Sequence, residues 1–370
     1  MRRRDFLTTT AVALTLPLSR AVRAATLAAP RRLLYVAEPG IRNYVQYGGV
    51  GIVVYDIDAG YKFVKRIPTW QVPAGQDPDN VKGVAAHAGT HRIFVATIKR
   101  LMAIDLASEK PIWDVAPEAG CDRLAVSPDG RLLYVPSFEG PHWSVIDAAT
   151  GNTITKIVLN TAAHNTVYGP DGSRVYLAGR RSTTLSIADP KTHTVVSTVG
   201  PFAGNIRPFT IDGSQRRVYV NCDGLLGFEI GDIRTGKVLH HVEISGVQKG
   251  PVERHGCPSH GIGLTPDERE VWVCDGHNRM LHVFDNTVMP PKQIASLKVR
   301  DLPGWISFSQ DGKHAWPSTG EVFDVQTKKL VIALKDETGR ELGSEKQVEL
   351  LVDGTTILKA GDQFGVGMKK

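Results

Sequence analysis

The chain has 370 residues, of which 22% are charged and 7% aromatic, with 37 Gly, 22 Pro and a formal charge of +6. This density of turn formers excludes a protein of long amphipathic helices. Five arginines and one aspartate lie in the first 24 residues, and without them the charge falls from +6 to +2, so nucleic acid is not expected as a partner.

The N-terminus reads MRRRDFLTTTAVALTLPLSRAVRAAT. The run Arg3-Arg4-Asp5-Phe6-Leu7 precedes a weakly apolar segment, residues 8–18, that is too short to span a membrane. Val22-Arg23-Ala24 suits signal peptidase. These features resemble a twin-arginine export signal. The resemblance implies that residues 1–24 form the signal and that the protein is periplasmic or secreted, which leaves residues 25–370 for the fold. It also implies export of an already folded chain, often one holding a cofactor. No cysteine follows the apolar segment, so a lipid anchor is not expected.

Beyond the signal the chain repeats itself. SPDGRLLYV (127–135), GPDGSRVYL (169–177), TPDEREVWV (265–273) and SQDGKHAWP (309–317) are copies of one pattern. Its aromatic anchors are Tyr35, Phe94, Tyr134, Tyr176, Tyr219, Trp272 and Trp316. An aspartate ends the next apolar run each time: Asp56, Asp105, Asp147, Asp189, Asp232, Asp285 and Asp324. With one strand before each anchor and one after each aspartate, the unit has four strands, A to D, joined by P-D-G and T-G turns. Seven such units predict an all-β, seven-bladed β-propeller of four-stranded blades. The first unit lacks strand A. A spare A–B pair at 348–361 is expected to close the ring, so that no sheet edge stays open between first and last blades.

The runs RLLYV, RRVYVN and SVIDAATGNT resemble the YVTN repeats of seven-bladed propellers, the lactonase-like and surface-layer-like group. The resemblance covers residues 31–361. It implies the fold and carries no catalytic residue with it, because such repeats are structural and the scaffold hosts enzymes, electron-transfer subunits and binding modules.

Function is expected on the face formed by the B–C and D–A connections, whose loops are longer and richer in His, Arg and aromatics. Strand A begins on that face at Lys82, Asp122, His164, Arg207, His260, Gly304 and Lys346. Asp122, His164, Arg207 and His260 come from successive blades and are expected to form a catalytic arc at the channel mouth, facing solvent-filled space. The histidines offer a base and an acid, Arg207 an anion clamp, and Asp122 a partner that fixes the His164 tautomer. Lys82, Arg180, Tyr44, Trp143, Trp305 and Asn278 are the expected ligand-binding residues.

The run HGCPSHGIGLTPDEREVWVCDGHNRMLHVFD, 255–285, is the densest in histidine. His255, His260 and His277 are expected to converge there and suit a divalent transition metal, whereas His282 lies within strand C and reads as structural. Cys257 reads as a disulfide partner of Cys222 or Cys274. Two functions fit the whole pattern. One is a binding propeller whose ligand is a small, anionic or carbohydrate-like molecule or a partner protein. The other is a lyase or hydrolase acting on a sugar acid, lactone or uronide by histidine acid–base chemistry, with or without a metal.

Overall fold

The computed structural model describes residues 29–369, and the expected export signal lies outside the described residues. The described chain forms seven antiparallel sheets arranged as the blades of a propeller. All seven aromatic anchors fall in strand B of their blades. The seven aspartates end strand C. The aspartate is there because its carboxylate closes the C–D turn: Asp147 Oδ1 accepts the N–H groups of Ala149 and Thr150 at 2.8 and 2.9 Å. Asp105, Asp232 and Asp324 do the same in their own blades.

Burial follows position in the blade. Strand B of blade four, Val175–Gly179, is buried throughout because neighbouring blades cover both of its faces. Strand D of blade six, Lys292–Lys298, alternates half-buried and exposed residues because it is an outer edge. The apolar core is a ring of clusters, each joining two adjacent blades. Leu34, Val36 and Tyr55 of blade one pack with Trp316 and Val322 of blade seven, which completes the ring.

The closing strand behaves as expected at its first half and differs at its second. Gln347–Asp353 is strand A of blade one, paired antiparallel with Arg31–Glu38 in the register Val36↔Gln347 to Arg31↔Val352. The following strand, Thr356–Ala360, is not a strand B. It pairs with the other side of Gln347–Asp353 and makes blade one five-stranded. The tail then crosses the channel. Gln363 accepts the Val84 N–H through Oε1 and donates to the Leu124 carbonyl through Nε2. The Gly365 carbonyl accepts from Thr210 Oγ1, and the Gly367 N–H donates to Ile211. These partners belong to strands A of blades two, three and five, or precede them directly, so the tail is a plug across the channel. Position 304 differs from its polar counterparts for a steric reason: a Cβ there would stand 2.2 Å from His255 Cε1 and 2.6 Å from Glu345 Oε1.

Candidate functional site

The start of each strand A is where a chain crossing the functional face turns into the channel, so side chains from successive blades converge there. They line a cavity of about 710 Å³. Lys82, His164, Arg180, Arg207, His260 and Tyr44 all line it, joined by Arg123, Arg254, His255 and Glu345. The channel mouth is therefore a cup. Trp305 lies at its base, with its indole N–H bonded to the Gln363 carbonyl of the plug and its ring against Phe364.

On one side of the cup, Asp122 and His164 form a buried pair. His164 Nδ1 lies 2.6 Å from Asp122 Oδ2. A carboxylate accepts only, so Nδ1 carries the proton and Nε2 is the ring's basic atom. Burial lowers the His164 pKa below its ordinary value, against the pull of Asp122, with Arg123 and Lys82 lowering it further. Burial works to raise the Asp122 pKa, but Lys82, His164 and Arg123 outweigh it and hold the carboxyl well below the usual range. Lys82 Nζ lies 3.9 Å from Asp122 and 5.0 Å from the centre of the Phe138 ring.

On the other side, His255 and His260 stack with ring centres 5.0 Å apart. His260 Nδ1 donates to the Gly304 carbonyl at 2.8 Å, leaving Nε2 as its basic atom. His255 Nδ1 lies 3.1 Å from Glu345 Oε1. Glu345 Oε2 takes the Lys346 ammonium at 2.7 Å and also bonds Arg123 Nη2. The Arg123 guanidinium lies 4.0 Å from the centre of the Trp305 ring. Burial pushes the Lys346 pKa down to about 7, with Glu345 opposing and Arg123 and Lys82 assisting.

Three more arginines of the wall are each anchored by part of the fork. Arg207 bonds Asp223 through Nε and the Gly256 carbonyl through Nη2. Arg180 bonds Glu139 through Nη1, and its buried Nε has no partner among the described residues. Arg254 pairs with Asp301 at 2.8 Å and lies 5.9 Å from the centre of the Tyr44 ring.

Several expectations need correction. His277 does not join His255 and His260: it sits on the rim beside Glu253, at 3.3 Å, and Glu345 occupies the third position of that cluster. Asn278 is held by Asp275 and the Gln248 carbonyl, away from the cavity. Trp143 is fully buried between blades three and four, with its indole N–H on Thr166 Oγ1. Trp305 is buried under Arg123 and is a base for the site. The arc does not face open solvent either, because His164, Arg207 and His260 are all buried. All four cysteines are buried free thiols, so neither disulfide of Cys257 forms. Burial raises the pKa of Cys257 above the ordinary thiol value, which leaves a poor nucleophile. His282 is a core residue, bonded to Ser296 and Asp275.

Arg123, Arg254 and Glu345 are the site residues that sequence reasoning missed. Glu345 is the strand-start position of blade one: it lies three residues before Val348, which faces the anchor Tyr35, as His164 lies three before Val167, which faces Tyr176, so the expected start at Lys346 is one residue too late. Arg123 and Lys346 are then the residues that follow a start, and taking the start with its successor finds both. Arg254 sits in the long loop before strand A of blade six and carries no such signal.

No family model matches the chain, and no curated protein matches it. Among solved structures it is similar to Kuenenia stuttgartiensis hydrazine synthase, with a TM-score of 0.57 at 17% identity over 79% of this chain and 90% of that one. It is also similar to the Myceliophteria thermophila Cps50 (Swd1) β-propeller domain, with a TM-score of 0.55 at 12% identity over 75% of this chain and 88% of that one. At these identities the likeness is one of fold, and the chain is a seven-bladed β-propeller.

Proposed function

We propose that the protein is an exported, YVTN-type propeller that binds a small anion of the sugar-acid class in the channel-mouth cup. The observation that carries this reading is the convergence of Lys82, Arg180, Arg207 and Arg254 on one cavity of about 710 Å³. A guanidinium has five N–H donors, and the internal bonds of Arg180 and Arg207 use only some of them. The anchored forks are oriented in advance, which suits planar recognition of a carboxylate. The volume matches that of ordinary small-molecule sites. Export rests on the resemblance of residues 1–24 to a twin-arginine signal, and the lactonase-like kinship on the repeats. A melting-temperature screen against small carboxylates, sugar acids and matched neutral sugars tests the binding reading. Acids should stabilise and neutral sugars should not. Processing at residue 24, and its loss when Arg3 and Arg4 become Lys, tests export.

One observation favours a lyase or hydrolase as a second reading. The Asp122–His164 pair presents an oriented imidazole at the same cavity, the arrangement of a general base held in one tautomer. Incubating each stabilising acid or lactone with protein and following it by NMR separates the two readings. Turnover that His164→Gln removes while binding persists identifies an enzyme.

A further inference from the structure

We infer that His255, His260 and Glu345 form a binding site for one divalent first-row transition metal, at the Trp305 side of the cup. One ligand atom from each of the three lies within 4.8 Å of the others. All three are over nine-tenths buried: the His255 and Glu345 side chains are 7% and 8% exposed and His260 is 6% exposed. Two imidazoles and one carboxylate are a donor set that suits such ions and leaves coordination positions open.

The surrounding bonds carry the inference further. A metal-ligating histidine ordinarily donates its other ring N–H to a carbonyl or carboxylate, which orients the ring. Both rings here have that second partner. His260 directs Nδ1 to the Gly304 carbonyl at 2.8 Å, which frees Nε2. His255 directs Nε2 towards the Leu302 carbonyl at 3.4 Å, which frees Nδ1. That Nδ1 lies 3.1 Å from Glu345 Oε1, so both ring nitrogens of His255 face acceptors. A cation between Nδ1 and Oε1 resolves the conflict, and it is either a proton or a metal ion. The remaining oxygen of Glu345 is held by Lys346 and Arg123 and is not free to turn. Gly304 gives the space that lets His255 and Glu345 approach. The cations Arg123 and Lys346 oppose a metal's charge, yet both bond Oε2 and leave Oε1 to the imidazoles. Asp122, 3.8 Å from Arg123, offsets one of them.

The site stands independently of the anion reading, and its test uses metal alone. Chelator-treated protein is titrated with Co²⁺ and followed by visible absorption, then with Zn²⁺, Mn²⁺ and Ni²⁺ followed by melting temperature and metal content. The expected result is one ion per chain, a Co²⁺ ligand-field spectrum and a raised melting temperature. His260→Gln and Glu345→Gln should weaken binding at least tenfold, whereas His277→Ala, on the rim, should leave it unchanged. Absence of stoichiometric binding by the unaltered chain for all four ions overturns the inference and assigns the bridging cation as a proton. This arm decides the matter even where a variant fails to fold. Binding lost in His277→Ala and kept in His260→Gln also overturns it.

Discussion

His164 Nδ1 and Asp122 Oδ2 meet at 2.6 Å across the boundary between blades four and three, and Asp122 has no exposed surface. Strand A of blade three is only two residues long, Ala125–Val126, so the segment before it is held by side chains as much as by the sheet. Asp122→Asn should therefore cost about 3 kcal/mol of stability, since it leaves neighbouring buried cations without their counter-charge. His164→Ala should cost about 1–3 kcal/mol by removing a bond to a charged group. Urea unfolding of both variants measures these losses. Changes below about 0.5 kcal/mol, typical of surface sites, would place the pair outside the core.

The pair also gives stability a pH dependence. The His164 pKa is lowered on folding, so the folded state binds fewer protons there. That contribution is present above the unfolded histidine value of about 6.5 and is lost as pH falls through the folded value. Asp122 is lowered too, and its contribution is lost further down, below the unfolded aspartate value of about 3.9. Glu38 and Asp362, raised by burial, act in the opposite sense, so the comparison must be between chains. Between pH 7 and 5 the melting temperature of the native chain should fall more steeply than that of His164→Gln. Parallel curves would contradict the assignment.

The plug predicts a separation between ring closure and channel sealing. Removing 347–370 takes away strand A of blade one and should abolish cooperative folding, because Arg31–Glu38 becomes an open edge. Phe364→Ala should leave the ring closed and cost about 3–5 kcal/mol, the range for a buried phenylalanine. Circular dichroism melts of the two proteins test this. A truncated chain that melts like the full one would contradict closure by this strand.

The blades were legible because strands, anchors and turns recur, and each recurrence has a local cause: an aromatic ring between blades, or an aspartate closing a turn. Asp122, His164, Arg207 and His260 were legible as strand starts, since the fold carries every such position to the channel. The exposure of these residues was not legible. Nothing local says that the tail of residues 361–369 seals the channel, and the repeat pattern presents Thr356–Ala360 as a strand B. His277 was misplaced because nearness in sequence is not nearness across a blade. Glu345 is 85 residues from His260 and reaches it only when the ring closes. The expectation of export suggested disulfides, yet all four thiols are buried and unpaired, with Cys121, Cys222 and Cys274 each packed in a different cluster between blades.

The central claim is that the cup selects a negative charge through Arg180 and Arg207. Calorimetric titration with galacturonate and with galactose, which match in size and differ in the carboxylate, tests it most directly. The acid should bind and the neutral sugar should not, and Arg180→Met and Arg207→Met should each weaken the acid at least tenfold while the fold is retained. Equal affinities for the two sugars, no binding of either, or acid binding unchanged in both variants would contradict the account.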